Sequence, residues 1–374
     1  MIKIFKKKIV FKPYSKVDLV LLDQNCSRLS FDFLKYKTIN PNEINIYHLF
    51  FSFLKYIFDF KLDKKLSEFY FIEIIKSLDP KIGLGCDIDY KICSFIKFFP
   101  QKISIIYQFA NVNFNYKETF SKKHIYKFFK NNKKIKCNYF FIWDKKYKEY
   151  FDFFDTKFVV NGSTRNNEVS TRIQKKIYDI MLISQFRYPV KSYYGTNRHY
   201  LSMRVQDATV SYVSKILENM RKKYKLKIAI ALSSGRLEKK NKINKNQEID
   251  FYNRDIKNFT TSTMSSSELA EKSKVIICIH STLGPELLSR GHKVLFLNPD
   301  HFYYDTNVVK KYDHSMYCNA FSEKIIIEKI NQLIKVPYST WKRKIKKNIF
   351  NIQFDENNKI LKNLIKNILN KTSC

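Results

Sequence analysis

Residues 274–298, "KVIICIHSTLGPELLSRGHKVLFLN", gather hydroxyl, carboxylate, guanidinium and imidazole groups at one turn between two apolar runs. The pattern predicts a strand, a tight corner, a short helix and a second strand. Ser281, Thr282, Leu283 and Gly284 fall where the first strand hands over to the helix. Backbone N–H groups left unpaired there, together with the helix dipole, suit an anion such as a phosphate. Two hydroxyls add donors, and Gly284 is expected to let an anion come close to the backbone. Glu286 suits the positive end of the helix and can accept hydrogen bonds from ligand hydroxyls. Arg290, one turn later, is a second candidate anion ligand, and His280 precedes the hydroxyl pair. Plain helix capping, with Ser or Thr, then Pro and Glu, explains the same letters without a ligand.

Other candidates stand at the ends of predicted strands. "LISQFR" ends in Ser184, Gln185 and Arg187, and "ALSSGR" in Ser233, Ser234 and Arg236. Lysine outnumbers arginine heavily, so an arginine at a strand end carries information about anions. In the first half, Asp23 follows "VDLVLL", and Asp87 and Asp89 follow "KIGLGC". A carboxylate at such a position can take the proton from an attacking hydroxyl. At most one of Asp87 and Asp89 is expected to face a site, and either is available to cap the next helix. Gln108 and Asn111, in "IIYQFANVN", are candidate hydrogen-bonding partners for a polar ligand. The seven histidines show no metal-binding spacing. Neither a GxGxxG nor a Walker phosphate loop is present, which disfavours NAD binding and P-loop hydrolysis. The site is therefore expected to need no metal or other cofactor.

The elements that must position these residues alternate. Strands are predicted at 17–22, 81–86, 102–109, 137–143 and 157–163, with helices between them. The helical patterns include "NIYHLFFSFLKYIF", "KLSEFYFIEIIKSL", "KHIYKFFKN" and "DKKYKEYFDFF". A polar stretch, 161–176, reads as a linker. Beyond it, strands at 177–186, 226–234, 274–279 and 293–298 alternate with a long helix at 200–224 and a serine-led helix at 265–273. Strands alternating with helices imply doubly wound parallel sheets, whose functional loops lie at the carboxyl ends of the strands. The expected layout is an N-terminal domain at 1–164, a C-terminal domain at 176–338 and a basic helical segment at 339–374.

Composition narrows the partners. The 374 residues carry 69 Lys+Arg against 34 Asp+Glu, a net charge of +35. Nucleic acid is disfavoured as the reason, because the positive residues are dispersed and the aromatics follow core periodicity. A codon-level bias that inflates Lys, Asn, Ile, Phe and Tyr together accounts for much of the excess, and attraction to anionic lipid or phosphorylated substrates is the alternative. Seven cysteines without a CxxC pair suggest neither a disulfide framework nor a zinc site, and a reducing, cytoplasmic setting is expected. No apolar run follows the basic start before Pro13, which argues against a signal peptide. The most apolar segment, 44–60, is too short and charged to span a bilayer. It reads as a buried helix, with an interfacial membrane helix as the alternative.

Taken in order, "DLVLLD", the polar "VNGSTRN", "ISQFR" and above all "SELAEKSKVIICIHSTLGPELLSRGHKVLFLN" resemble the bacterial surface-carbohydrate biosynthesis proteins, of glycosyltransferase GT-B type. That resemblance implies two Rossmann-like doubly wound domains facing a central cleft. It implies a nucleotide-sugar bound mainly by the second domain, with phosphates near Ser281–Gly284, Leu283 included, and nucleotide contacts from Glu286. Arg187 would then neutralise a diphosphate leaving group, Ser184 would border it, and Ser233 and Ser234 would border the base. His280 stands where such corners often carry an acidic residue. The acceptor would be a surface glycan or lipid-linked, with Asp87 or Asp23 as base and Gln108 and Asn111 as acceptor contacts. A CDP-alcohol phosphotransferase, a nucleotide-sugar epimerase and a basic nucleic-acid-binding protein remain the rival readings.

Overall fold

The structure is a computed structural model that describes residues 8–23, 29–58, 65–87, 89–109, 129, 134–145, 147–169, 174–186, 197–232, 242–261, 265–279, 281–297, 315–319, 322–348 and 353–371. They fall into two compact units. The first holds the described residues up to 168 and those from 353 onward, and the second holds those between. In chain order the first unit contains β1 (Lys8–Val10), β2 (Leu19–Leu21), β3 (Tyr36–Thr38), β4 (Glu43–Asn45), α1 (Ile46–Phe58), α2 (Leu66–Leu78), β5 (Ile82–Cys86) and α3 (Tyr90–Phe98). It continues through β6 (Ile103–Tyr107), β7 (Ile135–Ile142), α4 (Tyr147–Tyr150), β8 (Phe154–Val160) and α5 (Thr164–Asn167).

The second unit contains β9 (Tyr178–Ile183), α6 (Asn197–Tyr224), β10 (Ile228–Ala231), α7 (Lys242–Asn253), β11 (Thr260–Thr261), α8 (Ser266–Glu271) and β12 (Ser273–Cys278). After these come α9 (Leu283–Ser289), β13 (Val294–Leu297), β14 (Tyr317–Cys318), α10 (Glu323–Lys335) and α11 (Tyr338–Asn348). The last helix, α12 (Lys359–Lys371), returns to the first unit.

Each unit is built on a six-stranded sheet in which every pairing is parallel. The first has the order β3-β2-β5-β6-β7-β8 and the second β11-β10-β9-β12-β13-β14. Such strands are covered on both faces, which is why the central ones read as unbroken apolar runs. The "LVL" of β2, the "IAIA" of β10 and the "VLFL" of β13 are buried throughout. In each sheet the chain first winds one way and then starts again on the other side. The reversal falls between β2 and β5 in the first sheet and between β9 and β12 in the second. At such a reversal the two loops diverge and leave a crevice at the carboxyl ends.

Several sequence expectations change. The strands β1, β3 and β4, too short to show a period, were not foreseen. The helix expected at "DKKYKEYFDFF" is a single turn, because Phe151, Phe153 and Phe154 all enter the core and no one helical face could deliver them. The helix expected at "KHIYKFFKN" lies almost wholly outside the described residues. The apolar segment 44–60 forms α1, but it is not a buried helix: only His48 and Ser52 are buried, while most of its large apolar side chains are exposed.

The polar stretch after β8 begins as a clasp. Asn161, Asn166 and Asn167 are buried, and the Asn167 amide donates to the Asn161 carbonyl at 2.8 Å and to Asn358 Oδ1 at 2.9 Å. Asn358 in turn donates to the Thr164 carbonyl at 2.9 Å and to Glu168 Oε1 at 2.8 Å. These bonds hold the returning chain, and Leu361, Ile365 and Ile368 of α12 join the core of the first sheet. The basic C-terminal segment is thus divided. Trp341 of α11 packs into the second unit's core and donates to the Gly291 carbonyl at 3.1 Å, whereas α12 belongs to the first.

Candidate functional site

The corner of the second unit lies at the sheet's reversal point, after β12. Ser281 Oγ accepts the Leu283 N–H at 3.2 Å, and the Ser281 carbonyl accepts the Gly284 N–H at 3.1 Å. Thr282 has helical φ and ψ and makes no side-chain capping bond. Among the described residues, the amides of Ser281 and Thr282 donate to no protein acceptor. Two backbone N–H groups, the Ser281 hydroxyl proton and the Thr282 hydroxyl therefore remain for an anion at the carboxyl edge of the sheet. Ser281, Thr282 and Leu283 are half-buried, and Glu286, in the first turn, is buried.

Gly284 serves packing rather than anion approach. A Cβ there would lie 2.5 Å from Cys278 Sγ and 2.8 Å from the Phe296 ring, so its bare face lets α9 sit close on β12 and β13. Burial pushes the Cys278 thiol up to about 12, and the thiol donates to the Ser281 carbonyl at 3.4 Å. Cys278 thus supports the corner as a neutral thiol.

Across the reversal point, the end of β9 is held from below. The Ser184 hydroxyl donates to Glu248 Oε1, and Tyr252 donates its hydroxyl proton to Ser184 Oγ at 3.0 Å. Ser184 Oγ also accepts the Phe186 N–H at 3.2 Å, and the Tyr252 hydroxyl accepts the Gln185 N–H at 3.2 Å. Glu248 and Tyr252, one turn apart on α7, are fully buried. Ser184 therefore positions the loop after β9. The two α7 residues that hold it escaped sequence reading, and their four-residue spacing in "EIDFY" was the only available signal.

Arg290 does not reach the corner. It follows α9 at the end of the helix opposite Ser281, and its fully buried guanidinium pairs with Glu271 at 3.4 Å. Among the described residues, Arg290 Nε and Nη2 have no hydrogen-bond partner. His292 Nε2 stands 3.1 Å from the same carboxylate oxygen. Burial lowers His292 below the usual imidazole range, against the pull of Glu271. Burial alone would raise Glu271, but the His292 hydrogen bond and the Arg290 and Lys176 charges outweigh it and hold the carboxyl below its usual range. Held below the imidazole range, His292 is neutral at pH 7, and because an ionised carboxylate can only accept, its proton is on Nε2. This cluster braces the amino-terminal end of the sheet.

In the first unit, Asp23 and Asp87 flank the other reversal point. Asp23, buried, accepts the Cys86 N–H at 2.9 Å and the Tyr107 hydroxyl at 3.0 Å, tying three strand ends together. Asp87 Oδ1 accepts the Phe109 N–H at 3.0 Å, linking the ends of β5 and β6. Asp89 takes the capping role, accepting the Lys91 N–H at 2.9 Å at the start of α3. Gln108 is committed inward: Trp143 donates its backbone N–H to Gln108 Oε1 at 3.0 Å and its indole N–H to the Gln108 carbonyl at 3.1 Å. A cavity of about 820 Å³ opens in the same unit, lined by Tyr14, Glu43, Tyr70 and Tyr90, and by Lys37 and Lys91 among others. Tyr14 donates to Glu43 at 2.7 Å, and Lys37 pairs with that carboxylate at 2.8 Å. His280, Arg187, Ser233, Ser234, Arg236 and Asn111 lie outside the described residues.

Two doubly wound parallel sheets in tandem, with a terminal helix returning to the first, define a two-domain α/β protein of the GT-B-like class. The chain belongs to the family described as O-antigen biosynthesis proteins, whose model matches residues 112–369. Among curated proteins, none matches the chain in sequence. The fold is similar to that of a Listeria monocytogenes protein assigned as UDP-N-acetylglucosamine 2-epimerase, at a TM-score of 0.56 and 11% identity, covering 98% of this chain and 97% of that one. It is also similar to UDP-GlcNAc 2-epimerase from Neisseria meningitidis, solved with UDP-GlcNAc, at a TM-score of 0.51 and 13% identity over 94% and 99% of the two chains.

Proposed function

We propose that this protein is a glycosyltransferase of surface-carbohydrate assembly, moving a sugar from a nucleotide-sugar to a glycan or lipid-linked acceptor. The observation that carries the reading is the corner at the second reversal point, where the Ser281 and Thr282 amides find no acceptor among the described residues. A nucleoside diphosphate leaving group gains negative charge as the bond from its oxygen to the anomeric carbon breaks. Fixed N–H and O–H donors stabilise that charge without reorganising. The acceptor hydroxyl forms the new bond to the anomeric carbon and gives its proton to a base. Asp87, at the carboxyl end of β5, takes that role, with Asp23 as the second candidate. The apolar, lysine-bearing cavity of the first unit suits an acceptor with both apolar and anionic parts. No metal or cofactor is required by this scheme.

Epimerisation of a nucleotide-sugar is the second reading, favoured by end-to-end similarity to 2-epimerase folds. A thermal-shift panel of UDP, CDP and GDP on the wild type and on Ser281→Ala/Glu286→Ala tests the shared element. Stabilisation by one nucleotide, lost in the variant, is expected, and no response to any nucleotide sinks both readings. Incubation with the matching nucleotide-sugar then separates them. Transfer releases free nucleoside diphosphate only when an acceptor is added, whereas epimerisation converts the sugar without one.

A further inference from the structure

Helix α1 is built inside out. Ile46, Phe50, Phe53 and Ile57 recur at i, i+4, i+7 and i+11, the spacing of a core-facing stripe. Here they point to solvent, with Phe50 56% and Phe53 50% exposed, while the inner face buries His48 and Ser52. Phe58, at the end of the helix, is 80% exposed. The adjoining strand adds to the patch. β1 pairs in parallel with β4, which runs directly into α1, and Ile9 and Phe11 beside it are 47% and 70% exposed. A contiguous apolar surface of this kind marks a contact site.

Lysines border the patch. Lys8 and Lys12 flank the run from Ile9 to Phe11, and Lys65 stands at the start of α2, while Lys55, on the side of α1 away from the apolar stripe, is paired with Glu73 at 2.7 Å. The first sixteen residues contain six lysines and no carboxylate. We propose that α1 and β1 dock the protein on an anionic lipid surface. α1 lies in the plane of the interface, Phe50, Phe53 and Ile57 enter the acyl boundary, and the lysines meet the headgroups. At thirteen residues, α1 is about 20 Å long, well short of the roughly 30 Å of a hydrocarbon core. Among the described residues no helix is long and apolar enough to cross a membrane. A second copy is the poorer occupant, because it would bring two convex helices and two lysine margins together in chains of net charge +35 each. The docking surface does not depend on the sugar-transfer reading.

Flotation of the full chain with vesicles tests the proposal. Phosphatidylcholine vesicles carrying about 30 mol% phosphatidylglycerol should retain the protein at least ~10-fold better than phosphatidylcholine alone, with release at high salt. Phe50→Ser/Phe53→Ser should lose most of this binding while its melting temperature stays near the wild-type value, since both side chains are exposed. Phe53→Trp supplies an internal check: its emission should shift to the blue with anionic vesicles, with Trp143 and Trp341 contributing a constant buried background. The proposal is overturned if the wild type stays with neither vesicle, if the double variant binds like the wild type, or if the Phe53→Trp emission does not move. It is also overturned if the wild type is a dimer in solution that Phe50→Ser/Phe53→Ser dissociates.

Discussion

The two sheets reverse direction at comparable places, but their reversal points are finished in opposite ways. In the first unit a carboxylate ties the strand ends together: Asp23 binds the Cys86 amide and the Tyr107 hydroxyl. In the second unit the corresponding loop after β12 brings hydroxyls and small residues, and two of its amides find no acceptor among the described residues. A strand end that supplies its own anion is a brace, and one that lacks it is a place for an anion from outside. One architecture therefore yields a braced strand end at Asp23 and a candidate ligand corner at Ser281 through the residue types at the turn.

Glycine contacts test the comparison most severely. Gly162 has φ +74°, and a Cβ there would meet the Gln353 carbonyl at 1.7 Å, a backbone group that cannot move aside. Gly162→Ala should cost about 3 kcal/mol or more and release the returning α12, read as a lower urea midpoint and early proteolysis of the C-terminus. Gly284→Ala meets only side chains, so its cost should be smaller, ~1–3 kcal/mol, and largely recovered by adding Cys278→Ala. Equal costs at the two positions would show that α9 is as rigidly held as the clasp.

The carboxylate brace and the open corner should then part ways. Asp23→Ala removes the acceptor that the buried Cys86 amide and Tyr107 hydroxyl share and should cost about 2 kcal/mol. Thr282→Glu, at a half-buried position, should leave the ligand-free melting temperature nearly unchanged while abolishing any stabilisation by a nucleoside diphosphate. If Thr282→Glu unfolds the protein and Asp23→Ala does not, the division between brace and ligand corner fails.

The lower end of the second sheet should sense pH. Burial holds His292 below the usual imidazole range, and its hydrogen bond together with the Arg290 and Lys176 charges holds Glu271 below the carboxylate range. Both pKa values are lower in the folded state, so the unfolded chain binds more protons as pH falls. Their contribution to stability is whole above about pH 6.5, declines as pH falls towards the folded value of His292, and declines again below about pH 4.3 through that of Glu271. Urea midpoints from pH 8 to 5 should fall in the wild type and change less in His292→Asn. The smallest effect is expected at α8, where Ser265 accepts the Glu268 N–H at 3.2 Å and Glu268 returns a bond to the Ser265 N–H at 2.8 Å. Ser265→Ala should cost about 1 kcal/mol in a urea titration.

The serine cap, the central strands and the corner were legible because each is written in local pattern: an apolar run, a capping box, a hydroxyl turn between two runs. Gly284 was legible as special but for a different reason from the one it serves, since only the folded chain puts Cys278 and Phe296 against it. Arg290 shares the sequence context of the corner, but a seven-residue helix sets it at the far end beside Glu271. Gln108 reads as a ligand contact until Trp143, 35 residues away, takes it. The polar stretch 161–176 reads as a linker, yet Asn161 and Asn167 within it bond a chain segment nearly 200 residues later.

The sequence by itself determined the alternation of strands and helices, the two parallel sheets and the place of the hydroxyl corner, because burial on both faces and turn chemistry act over a few residues. The tertiary structure decided the strand orders, the sharing of the C-terminal helices between the units, which carboxylates are tied off and which amides find no acceptor among the described residues. It also turned the apolar stripe of α1 outward, a reversal that periodicity cannot reveal because it records that a helix has two faces and not which one meets the core.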